Sequence, residues 1–149
     1  MYITQKGLLE GMSDEFVKEL MNCEKVEAYR EGDRIFKEKD PAGNLYVLQS
    51  GRVKLCRGDK GYVIYIVDKI GEIFGWSSLM GREVYTASGI CMEPTELISI
   101  DKISIQKLHE KHPADGLLFF KKVAEILGER LVYSYEIIHL LSMAGTPES

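Results

Sequence analysis

Apolar positions along this chain change period twice. From Ser13 to Asn22, Phe16, Val17, Leu20 and Met21 recur at helical spacing. Ser13 is placed to cap that helix, and Asp14 and Glu15 put negative charge in its first turn, where it suits the helix dipole. A short helix from about Asp14 to Asn22 is expected, covering one end of a β-core.

Between Lys25 and Asp101 the period falls to two. Val26 and Ala28, then Ile35, belong to short strands broken at Glu31-Gly32-Asp33. Asp40-Pro41-Ala42-Gly43-Asn44 is a turn by its chemistry: proline fixes φ, glycine admits positive φ, and Asp and Asn bond their own backbone. Leu45 to Gln49 follows as a strand, Ser50-Gly51 turns it, and Arg52-Val53-Lys54-Leu55-Cys56-Arg57 alternates through Leu55, so that Val53 and Leu55 face in while Arg52 and Lys54 face out. Gly58-Asp59-Lys60-Gly61 is a hairpin loop. Tyr62 to Val67 is β-branched and aromatic throughout, as in a strand. Further strands are expected from Tyr85 to Cys91 and from Glu96 to Ile100, with a turn at Glu93-Pro94-Thr95.

After Asp101 the helical period returns. Ile103 to Lys111 is one helix, capped by Asp101 and stopped before Pro113. Phe120, Ala124, Leu127, Leu131, Ser134, Ile138 and Leu141 then alternate steps of four and three, a heptad seam interrupted only by Ser134. Leu117, Leu118, Val123, Val132, Tyr133, Ile137 and Leu140 widen the apolar surface beyond one seam. Such a helix has one face for its own β-core and another for a copy of itself, which points to a homodimer through Phe120 to Leu141. Ala144 to Ser149 ends the helix and reads as a frayed tail.

The expected fold is mainly β with flanking helices. It is a double-stranded β-helix jelly roll (a β-roll, about 25–101) with a short N-terminal helix and a long C-terminal helical segment (about 102–143). At 149 residues and 45% hydrophobic content, residues 1–149 read as a single domain. A net charge of −4 and the lack of any basic run argue against direct DNA binding by this chain. Three widely spaced cysteines, Cys23, Cys56 and Cys91, show neither a zinc spacing nor a disulfide framework, so they read as small core hydrophobes in a reducing cytoplasm. The start has no charged region followed by an apolar run, and no stretch reaches the length of a membrane span.

The stretch with candidate chemistry is Gly71-Glu72-Ile73-Phe74-Gly75-Trp76-Ser77-Ser78-Leu79, closed by Tyr85-Thr86-Ala87. Two glycines let the backbone turn sharply, and Ser77 and Ser78 suit the first turn of a short helix. A helix start after glycine points free N–H groups into one concavity, which suits a phosphate. Taken alone, the same residues are also a tight turn joining two strands.

Order and spacing together carry a resemblance. Tyr29-Arg30-Glu31-Gly32-Asp33, Leu45 through Val53, Gly71-Glu72-Ile73-Phe74-Gly75 and Tyr85-Thr86-Ala87 make the chain, from about Leu8 to Leu141, resemble the cyclic-nucleotide-binding domain of the catabolite activator and related regulators, of kinase regulatory subunits and of gated channels. The resemblance implies a phosphate cassette with a glutamate after its second glycine, holding the ribose hydroxyl; here that place is Trp76. It also implies an arginine opening the next strand, neutralising the cyclic phosphate. Here that place is Tyr85, while Thr86 and Ala87 fit the pattern. A hydrogen bond to a charged partner is worth about 1.5–3 kcal/mol, so losing the arginine alone weakens binding by roughly ten- to a hundredfold.

The candidate ligand-binding residues are therefore Gly75, Trp76, Ser77, Ser78, Arg82, Tyr85, Thr86 and Ala87. Arg82, three residues before Tyr85, reads as a solvated loop residue or as a substitute cation. Trp76 reads equally as a stacking platform for a planar ligand or as a plug in the vacated ribose site. The resemblance and these residues together imply a non-enzymatic sensor module taking a cyclic nucleotide or other planar anion and signalling through the C-terminal helix. Two alternatives stand beside it: a sensor domain cut from a transcription regulator, and a degenerate interaction domain that binds no nucleotide. An enzyme would need clustered metal ligands or a nucleophile–base pair. The histidines, His109, His112 and His139, lie instead in helical territory and read as surface residues, with no metal site.

Overall fold

The computed structural model describes residues 8–145. Helix α1 (Asp14–Asn22) is capped as expected: the Phe16 amide donates to Ser13 Oγ at 3.2 Å. Eight strands follow, β1 (Lys25–Tyr29), β2 (Arg34–Phe36), β3 (Asn44–Ser50), β4 (Val53–Arg57), β5 (Tyr62–Val67), β6 (Ile73–Phe74), β7 (Ser88–Cys91) and β8 (Thr95–Asp101). Helices α2 (Lys102–Lys111) and α3 (Pro113–Ala144) complete the order. The frayed tail expected at the C-terminus falls, over 146–149, outside the described residues.

The strands form two antiparallel four-stranded sheets, β1-β8-β3-β6 and β2-β7-β4-β5, facing each other as a jelly roll. Strand β3 shows why the first sheet has no solvent face. Tyr46 and Leu48 point into the roll, against Phe36, Val53, Phe74 and Leu97. Leu45 and Val47 point the other way, against Phe16 and Leu20 of α1, Ile105 and Leu108 of α2, and Phe119 and Val123 of α3. Both faces are buried, so the strand reads as a continuous apolar run rather than an alternating one. Strand β4 alternates through Leu55, with Val53 and Leu55 buried and Lys54 half-buried between them; Cys56 is buried as well, where the pairing with β5 shifts register. At Gly51 (φ 91°) a Cβ would sit 2.4 Å from Thr95 Oγ1 and 2.6 Å from the Pro94 carbonyl, so only glycine fits between β3 and β4.

Helix α3 uses its first half to pack and leaves its second half free. Phe119 and Val123 are buried, with Ile126 and Leu127 packed beside them. From Leu131 onward every described side chain of the helix is exposed, Ile138 at 59% and Leu141 at 67%. Asp115 fastens its start, accepting from the Ser13 amide at 2.9 Å and the Ser13 hydroxyl at 2.7 Å. Cys56 and Cys91 are buried free thiols and Cys23 is a half-buried one.

Two details differ from the sequence reading. The segment Tyr85-Thr86-Ala87 is not strand: β7 begins only at Ser88, because the Tyr85 backbone bonds the loop before β3 instead (Lys39 N–H to Tyr85 C=O, 2.9 Å; Tyr85 N–H to Asp40 C=O, 3.0 Å). His109 is no surface residue either. It is half-buried among Phe16, Phe119 and Phe120, and burial pulls its pKa down. His112 is half-buried where α2 meets α3, its Nε2 3.4 Å from Glu19; His139 is exposed.

Candidate ligand site

Strand β6 is two residues long because the turn around it does the pinning. Gly71 donates to the Leu48 carbonyl at 2.7 Å, the Leu48 amide donates to Glu72 C=O at 2.9 Å, and Ile73 and Phe74 pair with Val47 and Tyr46. The chain then reverses at Gly75 in the left-handed region (φ 72°). A Cβ there would lie 2.8 Å from the Tyr46 ring, so glycine is required by conformation and by space. Residues Trp76–Leu79 follow as a single 3-10 turn, shorter than the helix the two serines suggest. The amides of Trp76 and Ser77, at the start of that turn, have no carbonyl within it to bond. Ser77 and Ser78 are buried, and Ser78 Oγ donates to the Gly75 carbonyl at 3.0 Å, so this hydroxyl holds the turn.

Behind the turn lies a small hollow of about 50 Å³, bounded by Gly75, Trp76, Ser77, Tyr85, Thr86 and Ala87, with Phe36, Leu55 and Ile64 completing it. The two sequence-distant halves of the candidate set thus meet at one place. Ser78 and Arg82 do not join the lining, and Arg82 is exposed. Small-molecule pockets run to ~300–1,000 Å³, so the hollow as it stands is far below that size.

Tyr85 and Trp76 take different directions. The Tyr85 ring stacks on Phe36 with centroids 4.2 Å apart, inside the aromatic cluster with Tyr46 and Phe74. Its hydroxyl donates to the Asn44 carbonyl at 2.8 Å and accepts from the Asn44 amide at 3.0 Å and from the Tyr46 hydroxyl. Burial raises the pKa of both phenols. The Trp76 indole is half-buried against the helix-side core and borders the hollow from that side.

Sequence reasoning missed a second constellation beside this one. Glu72, buried on the same turn, accepts from the Tyr65 hydroxyl, from the Asp68 and Lys69 amides (3.3 Å each) and from Arg130 Nη2 of α3 at 3.2 Å. The same Nη2 donates to the Ile73 carbonyl, and the guanidinium lies over the Tyr65 ring, 4.8 Å from its centroid. Burial, and then the bond to Glu72, push the Tyr65 hydroxyl up to about 12. One arginine therefore ties the long helix to the glycine turn. Alongside it runs an open groove of about 870 Å³ between β5 and α3. The only signals in the chain were a carboxylate inside an apolar turn and a cation breaking an apolar helix, 58 residues apart.

Comparison with known proteins agrees with this architecture. A sequence model described as Cyclic nucleotide-binding domain matches residues 26–112, more than half of the chain. Cyclic nucleotide-gated channel beta-3 of Canis lupus familiaris is 24% identical over 131 residues, covering 86% of this chain and 17% of the channel. The chain spans less than a fifth of the length of the curated relatives it matches. Among solved structures, the Thermus thermophilus Catabolite Activator Protein superposes with a TM-score of 0.71 at 27% identity, covering 91% of this chain and 62% of that one. The N-terminal domain of a transcriptional regulator from Streptomyces coelicolor A3(2) gives 0.68 at 27% identity, covering 83% and 89%.

Proposed function

The chain belongs to the cyclic nucleotide-binding domain family, and from that membership we infer that it is a non-enzymatic sensor module for a cyclic nucleotide or other planar anion. The ligand seats at the turn Gly75 to Ser78 and at Tyr85 to Ala87. The supporting observation is the Arg130 tie: the helix that would report on the ligand already donates into the turn that would hold it. A ligand that shifts the turn shifts the helix, provided it has different affinity for the two arrangements. The exposed seam from Leu131 to Leu141 supports a homodimer as the receiving end. Three free thiols fit a cytoplasmic setting, and among the described residues no helix is long and apolar enough to cross a membrane.

With Trp76 and Tyr85 in place of the family's glutamate and arginine, ligand entry has to enlarge the 50 Å³ hollow by swinging the indole or opening the turn. Isothermal titration with cyclic AMP, cyclic GMP and cyclic di-GMP is the direct test. Binding roughly ten- to a hundredfold weaker than that of a domain with the arginine is expected, and Thr86→Val should weaken it further. Silence across that panel, with no ligand carried through purification, removes the sensing role.

A second reading has its own observation. The Tyr85 hydroxyl is fully engaged by Asn44 and Tyr46, and its ring completes the aromatic core. That is how a site looks when packing has replaced binding. The chain would then be an interaction domain, and the silent titration is its positive result.

A further inference from the structure

We propose that Glu15 and Glu19 of α1, together with His112, the residue that joins α2 to α3, form a site for one divalent transition-metal ion of the zinc class. The ion pins the covering helix α1 to the root of α3. None of the three residues borders the hollow behind the glycine turn, so the site does not depend on that turn taking a ligand.

The three side chains come from distant parts of the chain, yet their ligand atoms all lie within 4.8 Å of one another. Each stands on fixed backbone. Glu15 and Glu19 are one helical turn apart, so their carboxylates leave the same face of α1. At His112 the backbone is held from both sides: its amide donates to the Leu108 carbonyl at 2.8 Å, and its carbonyl accepts from the Gly116 amide at 2.9 Å. Its ring meets Phe16 edge to face, with centroids 5.9 Å apart. The bonds from Ser13 to Asp115 fasten the start of α1 to the start of α3. Ligands borne on rigid elements need little reordering to receive an ion.

Donor chemistry decides the class of ion. His112 Nε2 is shut off from water and has no hydrogen-bond partner among the described residues. Glu19 Oε2 lies 3.4 Å from it. Two ligand atoms bound tetrahedrally at zinc distances of about 2.0–2.1 Å stand about 3.4 Å apart, so this pair is already spaced to share an ion. The Lys111 ammonium takes the other oxygen of the same carboxylate, Oε1, at 2.7 Å. It orients the carboxylate and leaves Oε2 to the imidazole side, as an outer partner of a metal ligand does. Glu15, Glu19 and Lys111 together leave a net negative charge for a dication to neutralise. The ring nitrogen favours zinc-class ions over Mg²⁺ and Ca²⁺, which take oxygen ligands. Three protein ligands leave a fourth position to water.

The test is isothermal titration of the full chain with zinc chloride, with magnesium chloride as the control, and thermal melting in the presence and absence of each salt. Zinc should bind in the micromolar range at a single site per chain and raise the melting temperature. Magnesium at the same concentration should do neither. Glu15 is exposed, so Glu15→Gln keeps the fold and should weaken zinc by about tenfold or more. His112→Gln should remove the binding, with circular dichroism of the metal-free variant showing whether the joint between α2 and α3 still folds. If it does not fold, Glu15→Gln carries the test. Zinc also seeks thiols and exposed imidazoles, and Cys23 and His139 offer one of each. Cys23→Ser and His139→Gln should bind zinc as the wild type does. Affinity unchanged by Glu15→Gln, or lost with Cys23 or His139, overturns the proposal, as does a wild-type chain without saturable binding in the micromolar range. Zinc held by the three residues with no rise in melting temperature overturns the pinning of α1.

Discussion

Tyr85 shows how much one side chain decides here. The resemblance places an arginine at its position, and an arginine there would face a ligand; the phenol instead turns into the roll. Its ring stacks 4.2 Å from Phe36, and its hydroxyl satisfies both backbone groups of Asn44. Tyr85→Phe keeps the stacking and removes those bonds, leaving a partly buried amide and carbonyl without partners. The expected cost is about 1–2 kcal/mol. It should be read as a lower urea midpoint with an unchanged m-value. Gly75 is the opposite case, a residue defined by what it lacks, since its left-handed φ and its closeness to Tyr46 both exclude a Cβ.

At the scale of elements, α3 divides its labour along its length. Phe119, Val123, Ile126 and Leu127 pack on the core, while Leu131, Ile138 and Leu141 stand free. The heptad count found the free seam, but it passed over Phe119, which is 1% exposed and anchors the helix. Neighbouring Phe120, named as the seam's first position, is exposed at the surface beside His109. Two substitutions should therefore behave differently. Phe119→Ala should cost about 3–5 kcal/mol of folding stability. Ile138→Glu should leave the monomer's stability within about 0.5 kcal/mol and abolish self-association in sedimentation velocity. Loss of the dimer in neither variant would remove the homodimer reading.

For the molecule as a whole, ionisable groups give stability a pH optimum. Asp101, held down by bonds from Ser104, and Asp115, held down by the Ser13 amide and hydroxyl, both titrate below their ordinary range. Glu19, bonded by Lys111, and Glu38, bonded by the Gly58 amide, behave likewise. Depressed carboxylates stabilise above their unfolded pKa, and that contribution is lost as pH falls through the folded value. Glu24 works the other way. Burial raises it to about 7, and among the described residues neither of its carboxylate oxygens has a hydrogen-bond partner. Its contribution is complete below the unfolded pKa and disappears as pH rises through about 7. Melting temperature should peak at about pH 5. Glu24→Gln should flatten the alkaline limb, stabilising the protein at about pH 8 by about 1 kcal/mol once solvent screening is discounted. An unchanged alkaline limb in Glu24→Gln would show that the carboxylate has a partner.

By itself the sequence determined what depends on neighbours along the chain. Ser13 and Asp101 cap their helices because a side chain reaches an amide three residues away. The period-two runs became strands, and glycine–proline chemistry placed the turns between them, because both rest on local backbone preference. Which way Trp76 and Tyr85 point was decided only by tertiary packing. At Tyr85 the chain chose between an open site and a filled core, and that choice depends on Phe36, Asn44 and Tyr46, all distant in sequence. Arg130 and Glu72 are further removed, 58 residues apart, and each looks like an ordinary surface charge until folding buries them together. Periodicity assigns a residue to a face of its own element. It does not state which other element that face meets, because the meeting is set by long-range packing rather than local preference.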